Sequence, residues 1–309
     1  MDSNHYHQHK NNQPVNSISG KNLIAVVILN FTITVAEVIG GLISNSLALL
    51  SDALHNLGDG IAVLIAFIAN LISKKESNKR KTFGYKRIEI LAAFVNSVFL
   101  VAICIFLIYN AIQRFLHPEP IKGLVMFVIA GIGLIANLIA VMLLQADSSR
   151  NMNVKAAYLH LLGDTLSSIF VIAGGILIYF FSIWWIDPFI TVLISLYIMK
   201  ETYVLLKDSV NILMQSTPQN LDLELIKKEI ELLPEILNVH HLHAWNLSEN
   251  ELHFEGHIDL LRDLKVSNTD EIRHRIEKLL SDKYHITHVT LQMEFGCCDD
   301  IDMIHQKTP

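Results

Sequence analysis

The chain has 309 residues, of which 51% are hydrophobic and only 17% are charged, and its formal net charge is −6. A soluble globular domain carries about 25% charged residues, so the composition indicates that much of this chain lies in a membrane. The acidic balance excludes a nucleic-acid-binding protein of the usual basic kind. Three cysteines, two of them adjacent, do not make a disulfide framework.

Residues 1–20 are polar and are expected to form a disordered tail. Six apolar segments follow, each close to or above the roughly 20 residues that a helix needs to cross the hydrocarbon core. The segments 21–207 and 208–309 are therefore expected to form a transmembrane domain and a soluble domain. The six predicted spans are Leu23–Ile43, Leu47–Ile72, Ile88–Phe115, Leu124–Leu144, Val154–Phe181 and Pro188–Leu206.

Lysine and arginine are unevenly distributed among the connections between the spans. The connection after span two holds seven of them, and the one after span four holds Arg150 and Lys155. The turns after spans one and five hold none, and the turn after span three has only Arg114 and Lys122 at its edges. Cationic connections stay in the cytoplasm. Both chain termini are therefore expected there as well.

The segment beyond span six predicts a small α+β domain. Its order of elements, α-β-β-α-β, suits an open sheet with helices on one face. Hydrophobic periodicity predicts helices over Leu221–Leu233 and Thr269–Leu280, and strands over Val239–Leu247, Leu252–Leu260 and Val289–Phe295.

One motif occurs twice within the apolar segments. Leu-His-Asn-Leu-Gly-Asp ends at Asp59 in span two, and Leu-His-Leu-Leu-Gly-Asp ends at Asp164 in span five. The histidines, His55 and His160, each precede the aspartate by four residues, so each pair lies on one helix face. Two such helices packed together supply two imidazoles and two carboxylates, which suit tetrahedral zinc. The carboxylates would also neutralise a divalent ion in hydrocarbon.

The ordinary alternative is that these histidines only pack and hydrogen-bond between helices. Against it, ionisable residues at membrane depth mark functional sites, and here four of them occur in two identically spaced pairs. Asp52 lies three residues before His55 on the same helix face. It is expected to be an additional ligand, a hydrogen-bond partner of the histidine, or a purely structural residue.

The soluble domain is rich in histidine. Strand alternation places His241 and His243 on one face of the sheet and His240 on the other. Imidazole combined with thiolate favours zinc, so a second, cytosolic metal site is predicted, while several of the histidines are expected to be plain surface residues. The residues concerned are His240, His241, His243, His253, His257, His274, His285, His288, Cys297 and Cys298.

Three segments, Ser46–Asp59, Thr82–Ala93 and Tyr158–Asp164, resemble the cation diffusion facilitator family, in particular its zinc/cadmium/cobalt (czcD-type) efflux subgroup. The resemblance implies a homodimer of six-span protomers in a bacterial plasma membrane, each with a cytoplasmic ferredoxin-like (metallochaperone-like) domain. It implies export of zinc, with cadmium and cobalt, in exchange for protons by alternating access. The implied transport site consists of His55, Asp59, His160 and Asp164.

The resemblance extends in part to the soluble domain. His240 and His257 align with cytosolic metal ligands of the family, and Glu294 falls where a carboxylate ligand is expected. Gln292 and Asp270 stand where some bacterial relatives have histidine. The site would then use other donors, for which Cys297 and Cys298 are available. Zinc is thus expected to be both the transported substrate and a cytosolic regulator.

Two other classes of protein were weighed. An intramembrane metalloprotease would need a motif such as His-Glu-x-x-His, which the sequence lacks, so the protein is not expected to be an enzyme. A membrane metal receptor that signals through its soluble domain without transporting remains the alternative.

Overall fold

The computed structural model describes residues 20–148, 152–248, 251–296 and 303, with the backbone alone at 20–25, 146–148 and 152–157. The predicted disordered tail lies, apart from Gly20, outside the described residues. Six long helices come first: α1 Gly20–Ser44, α2 Leu47–Ser73, α3 Ile88–Leu116, α4 Gly123–Ser148, α5 Met152–Phe181 and α6 Ile186–Leu213. The remaining elements are α7 Leu223–Glu231, β1 Ile236–Ser248, β2 Glu251–Leu260, α8 Val266–Tyr284 and β3 His288–Glu294.

All six long helices have the length and the hydropathy of membrane spans, which confirms the predicted number. The largest difference in bounds is at α6, which continues to Leu213 rather than ending at Leu206. Charged Lys207 and Asp208 end the apolar run there, but both are compatible with a helix. At the other end of α6, Pro188 lies in the first turn, where a missing N–H costs nothing.

The chain divides into two compact units, and the first comprises residues 1–60 and 102–199. One cluster in its interior is apolar and contains Leu49, Met126 and Val171, which are all fully buried. Helices α4 and α5 pack closely because glycines remove side chains between them. A Cβ atom at Gly175 would lie 2.8 Å from the backbone nitrogen of Phe127.

The first turn of α2 is capped by a carboxylate from a distant part of the chain. Asp187, in the first turn of α6 and wholly buried, accepts hydrogen bonds from the N–H groups of Leu47 at 2.9 Å and Ala48 at 3.2 Å. The Ser46 hydroxyl donates to the same carboxylate at 2.5 Å, and Arg114 Nη1 lies 3.6 Å away. An anion at a helix N-terminus satisfies otherwise unpaired N–H groups and the helix dipole.

The second unit comprises residues 61–101 and 200–309 and includes the α+β domain. Its three-stranded sheet has the order β1-β2-β3, with β1 and β2 antiparallel and β2 and β3 parallel. The predicted α-β-β-α-β order is confirmed. The helices bury periodic apolar side chains in one core with the sheet, including Ile226 and Ile230 of α7 and Ile276 and Leu280 of α8.

Candidate metal sites

The two repeated motifs lie in the first unit, on α2 and α5, where each places a histidine and an aspartate one turn apart. Within the motifs, His55 Nε2 lies 3.4 Å from Asp59 Oδ2, and His160 Nε2 lies 3.6 Å from Asp164 Oδ2. Between the helices, His160 Nε2 lies 3.1 Å from Asp59 Oδ2, and His55 Nε2 lies 3.7 Å from Asp164 Oδ1. The structure therefore brings the four side chains together.

These spacings suit a small cation among the four side chains. Nitrogen and oxygen ligands about 2.0–2.1 Å from zinc in a tetrahedron lie about 3.3 Å from one another, and the four measured distances fall on both sides of that value. His55, Asp59 and His160 present ligand atoms that all lie within 4.8 Å of one another. Asp164 is not part of this group of three, but its Oδ1 lies 3.7 Å from His55 Nε2 and its Oδ2 lies 3.6 Å from His160 Nε2. Two imidazoles and one carboxylate therefore converge, with the second carboxylate beside them.

Burial differs among the four side chains. Asp164 is almost fully buried, at 4% exposed, whereas the His160 side chain is 45% exposed. Asp59 Oδ2 and Asp164 Oδ2 are buried and accept no hydrogen bond from the residues that the structure describes. A buried carboxylate oxygen is costly unless a cation or a donor meets it, so this arrangement favours a positively charged ligand.

Asp52 lies outside the group of converging ligand atoms. It is buried and accepts hydrogen bonds from two α5 hydroxyls, Ser167 at 2.7 Å and Ser168 at 3.4 Å. Glu37 of α1, also fully buried, accepts a 3.1 Å hydrogen bond from Asn56. Both carboxylates therefore join helices next to the site. The hydrogen bonds that the structure shows for Asp52 go to serines of α5, so its expected role as a ligand or as a partner of His55 stays a prediction.

A second cluster lies in the soluble domain, where a bulge interrupts β1. The pairing of β1 with β2 shifts between His240 and His243, and His241 has a φ of 50°. The bulge brings the ring centroids of His240 and His241 to 5.0 Å and those of His241 and His257 to 4.8 Å. These three residues offer ligand atoms within 4.8 Å of one another.

Glu294 of β3 completes this cluster. Its carboxylate lies 3.3 Å from His240 Nε2 and 2.8 Å from His257 Nδ1, and Gln292 donates a 2.6 Å hydrogen bond to it. Gln292 therefore orients the carboxylate instead of offering an imidazole. His240 and Glu294 are buried, so water would screen little of the interaction between this carboxylate and a bound cation.

The structure changes two expectations for this cluster. The prediction that His240 and His241 lie on opposite faces is wrong, because strand alternation fails at the bulge. His241, which the sequence did not single out as a ligand, joins His240, while His243 is exposed. Asp270 pairs with Arg273 on α8. Cys297 and Cys298 lie outside the described residues, and their role stays a prediction.

Comparison with known proteins agrees with both halves of this architecture. Residues 23–214 match the cation efflux transmembrane domain family, and residues 218–295 match the cytoplasmic domain family of cation efflux proteins. The chain belongs to the cation efflux family, also called the cation diffusion facilitators. It is therefore a multi-pass membrane transporter with a cytoplasmic C-terminal domain, not an enzyme.

Named members of the cation efflux family match nearly the whole chain. The zinc transporter ZitB of Pectobacterium atrosepticum is 40% identical, over 95% of this chain and 90% of its own. The metal cation efflux system protein CzcD of Cupriavidus metallidurans is 38% identical, over 98% of this chain and 93% of its own. A cadmium, cobalt and zinc/H(+)-K(+) antiporter of Bacillus subtilis is 39% identical, over 93% of this chain and 91% of its own. These relatives confirm the predicted subgroup.

Proposed function

We propose that this protein exports Zn²⁺, and with it Cd²⁺ and Co²⁺, from the cytoplasm in exchange for protons. The transport site is formed by His55, Asp59, His160 and Asp164. The observation that carries the proposal is the convergence of two imidazoles and two carboxylates from α2 and α5 at tetrahedral spacing. The metals in the names of the relatives agree with this ligand set.

Exchange with protons follows from the chemistry of the ligands. Zinc binds to neutral imidazole and ionised carboxylate, so a proton on any of these groups competes with the metal for the same lone pair. Free imidazole titrates near pH 6.5, which makes it responsive to the pH on either side of a membrane. Alternating exposure of the site then releases metal where protons are more abundant and loads it where they are fewer.

The transport site is tested with Asp59→Asn and Asp164→Asn in proteoliposomes that have an imposed pH gradient. Each variant keeps the side-chain size but loses a ligand charge. Removing a residue that only supports a metal ligand costs up to about 100-fold in metal affinity or activity, so we expect the loss of a ligand itself to lower zinc uptake by more than about 100-fold. Asp208→Asn, an exposed position on α6, is the matched control and should transport normally.

Three outcomes would contradict this proposal. Normal zinc uptake by either site variant would show that the substituted aspartate is not a ligand. Transport of manganese as rapid as that of zinc would contradict selectivity by imidazole, because manganese prefers oxygen ligands. Zinc binding without any flux by the unmodified protein would favour the alternative of a membrane metal receptor.

We infer that the cytoplasmic domain holds a regulatory zinc site made of His240, His241, His257 and Glu294, with Cys297 and Cys298 as further candidates. Zinc binding is measured on the full chain carrying Asp59→Asn and Asp164→Asn, so that the cytosolic site dominates. His257→Ala should weaken the remaining binding by more than about tenfold. His243→Ala, on the neighbouring strand β1 and exposed, should not. Equal effects of the two variants would refute this ligand set.

We further propose that the protein is a homodimer in a bacterial plasma membrane, with both termini in the cytoplasm. The family that residues 218–295 match carries dimerisation in its name, which supports the oligomeric state. Light scattering of the purified protein should give the mass of two chains. A monomeric mass at micromolar concentration would rule out the dimer.

A further inference from the structure

A cavity of about 430 Å³ lies in the second unit, where α3 begins and α6 ends. Leu91 and Leu213 line it at these helix ends, and Trp245 of β1 lines it from the soluble domain. Both helices are membrane spans, and the domain that follows α6 is cytoplasmic. The cavity therefore lies at the cytoplasmic boundary of the membrane.

The connection between α2 and α3 gives this cavity a positive charge. Lys81, Lys86 and Arg87 line it, and none of its lining residues is acidic. Glu251 neutralises Lys86, whose Nζ lies 2.5 and 2.7 Å from its two carboxylate oxygens. Just beyond α6 the polar lining residue is Gln215, an uncharged amide. Of the three cationic lining residues, Lys81 and Arg87 therefore keep their charges unneutralised by the cavity wall.

Among the residues that the structure describes, neither Lys81 nor Arg87 forms an ion pair with an acid. Lys81 Nζ lies 4.0 Å from the centre of the Tyr85 ring. The Arg87 Nε is buried and has no hydrogen-bond partner among the residues that the structure describes. An unpaired buried guanidinium nitrogen is costly, and a guanidinium binds phosphate through parallel hydrogen bonds. These two cations therefore suit an anionic ligand.

The rest of the cavity wall is apolar. Phe83, which is 55% exposed, stands with Leu91, Leu213 and Trp245 beside the two cations. A soluble anion would gain nothing from these side chains. A phospholipid, in contrast, has a phosphate next to its hydrocarbon chains, and basic pockets at the cytoplasmic ends of membrane helices suit anionic headgroups.

We propose that this cavity binds the headgroup phosphate of an anionic phospholipid from the cytoplasmic leaflet. Arg87 and Lys81 hold the phosphate, and the apolar wall receives the first part of the acyl chains. The lipid would occupy the place where the basic connection, the end of α6 and β1 meet. This site is independent of both metal sites.

The test is lipid binding to the purified, delipidated full-length protein, followed by native mass spectrometry. Phosphatidylglycerol should be retained about tenfold more strongly than phosphatidylcholine. Arg87→Gln should weaken the retention of phosphatidylglycerol about tenfold, which is the effect of losing about one charge-assisted contact. Lys81→Gln, at an exposed position, should act in the same direction if Arg87→Gln folds poorly. Arg87→Lys, which keeps the charge, should lose less than Arg87→Gln.

Lys79→Gln is the matched control, because Lys79 is exposed on the same connection and does not line the cavity. It should change phosphatidylglycerol retention by less than about twofold. An equal loss in Lys79→Gln and Arg87→Gln would show general attraction of the basic connection and overturn the proposal. Displacement of the lipid by millimolar inorganic phosphate would also overturn it, since the site would then take a free anion.

Discussion

His241 holds a left-handed backbone conformation, with a φ of 50°, that a non-glycine residue rarely adopts. Such a conformation costs on the order of 1–3 kcal/mol. The cost has a visible result, because the bulge turns the imidazole toward His240 and His257. Glycine would relieve the strain but remove the imidazole. A strained residue that completes a cluster of imidazoles indicates function more strongly than its type alone.

His253 is a different kind of histidine, buried against aromatic rings instead of a carboxylate. Its ring stacks on Trp245 at 5.4 Å and lies 4.6 Å from the ring of His288. Burial lowers the pKa of His253, and repulsion from His288, Lys86 and Arg87 lowers it further, while Glu251 acts in the opposite direction. The folded protein therefore favours the neutral form of this side chain.

The lowered pKa of His253 predicts a loss of stability in acid. An unfolded histidine takes up its proton near pH 6.5, before the folded one does, so the free energy of unfolding falls as the pH drops below that value. With chelator present, the midpoint of thermal unfolding should decrease from pH 7.5 to pH 5.5, and His253→Gln should reduce that decrease. His243→Gln, on the exposed side of the same domain, should leave it unchanged. A steeper decrease in His253→Gln would contradict the argument.

Among the helices, the contact of α4 with α5 depends on the absence of side chains. Gly123 and Gly175 face each other closely, since a Cβ at Gly123 would lie 2.8 Å from the Gly175 carbonyl oxygen. Such close approach of backbones is typical of membrane helices, where small residues replace the hydrophobic effect as the basis of association. The contact also sets the position of α5, which carries His160 and Asp164.

A single methyl group at this contact should separate the helices. Gly175→Ala places a Cβ 2.8 Å from backbone and side-chain atoms of Phe127, and overpacking of this kind costs about 1–3 kcal/mol. Gly131→Ala, on α4 with no atom within 4 Å of the new Cβ, should be neutral or gain up to about 1 kcal/mol of helix propensity. Thermal unfolding in one detergent compares the two. Equal unfolding midpoints for the two variants would mean that α4 and α5 can accommodate the extra methyl group without loss of stability.

The bounds of the helices and the strands followed largely from the sequence, because hydropathy and periodicity are local properties. The approach of the four intramembrane side chains followed as well, since a spacing of four residues determines their helix face before any packing is known. His241 and Asp187 did not. The bulge depends on the pairing of two strands, and the Asp187 cap joins residues about 140 positions apart, so neither leaves a local pattern.

For the whole molecule, the distribution of charge along the chain says more about membrane orientation and lipid contacts than the net charge does. The net charge of −6 would not suggest a basic surface, yet seven lysines and arginines occur in the single connection between α2 and α3. This connection sets the expected orientation in the membrane and also forms the basic side of the cavity that Arg87 lines. One segment thus serves both insertion and, by our proposal, lipid binding.

The expected orientation predicts where each terminus can be reached. Protease-cleavable tags at the two ends should be protected from added protease in intact spheroplasts and cleaved in inverted vesicles. The two ends should behave alike because an even number of spans returns the chain to its starting side. A tag in the turn between α3 and α4 should show the reverse pattern and serves as the control. Cleavage of the N-terminal tag alone in spheroplasts would mean that the number of spans is odd.

The Asp187 cap has a mechanical consequence for the proposed transport site. It fastens the first turn of α2 to α6, so this end of α2 is the natural fulcrum for any tilt of the helix. His55 lies about 12 Å along the axis from that fulcrum and Asp59 about 18 Å, at about 1.5 Å per residue. A tilt of about 10° would therefore shift these ligands by about 2–3 Å, comparable to the length of a zinc–ligand bond. A small tilt about this fixed end would therefore be enough to separate the proposed ligands.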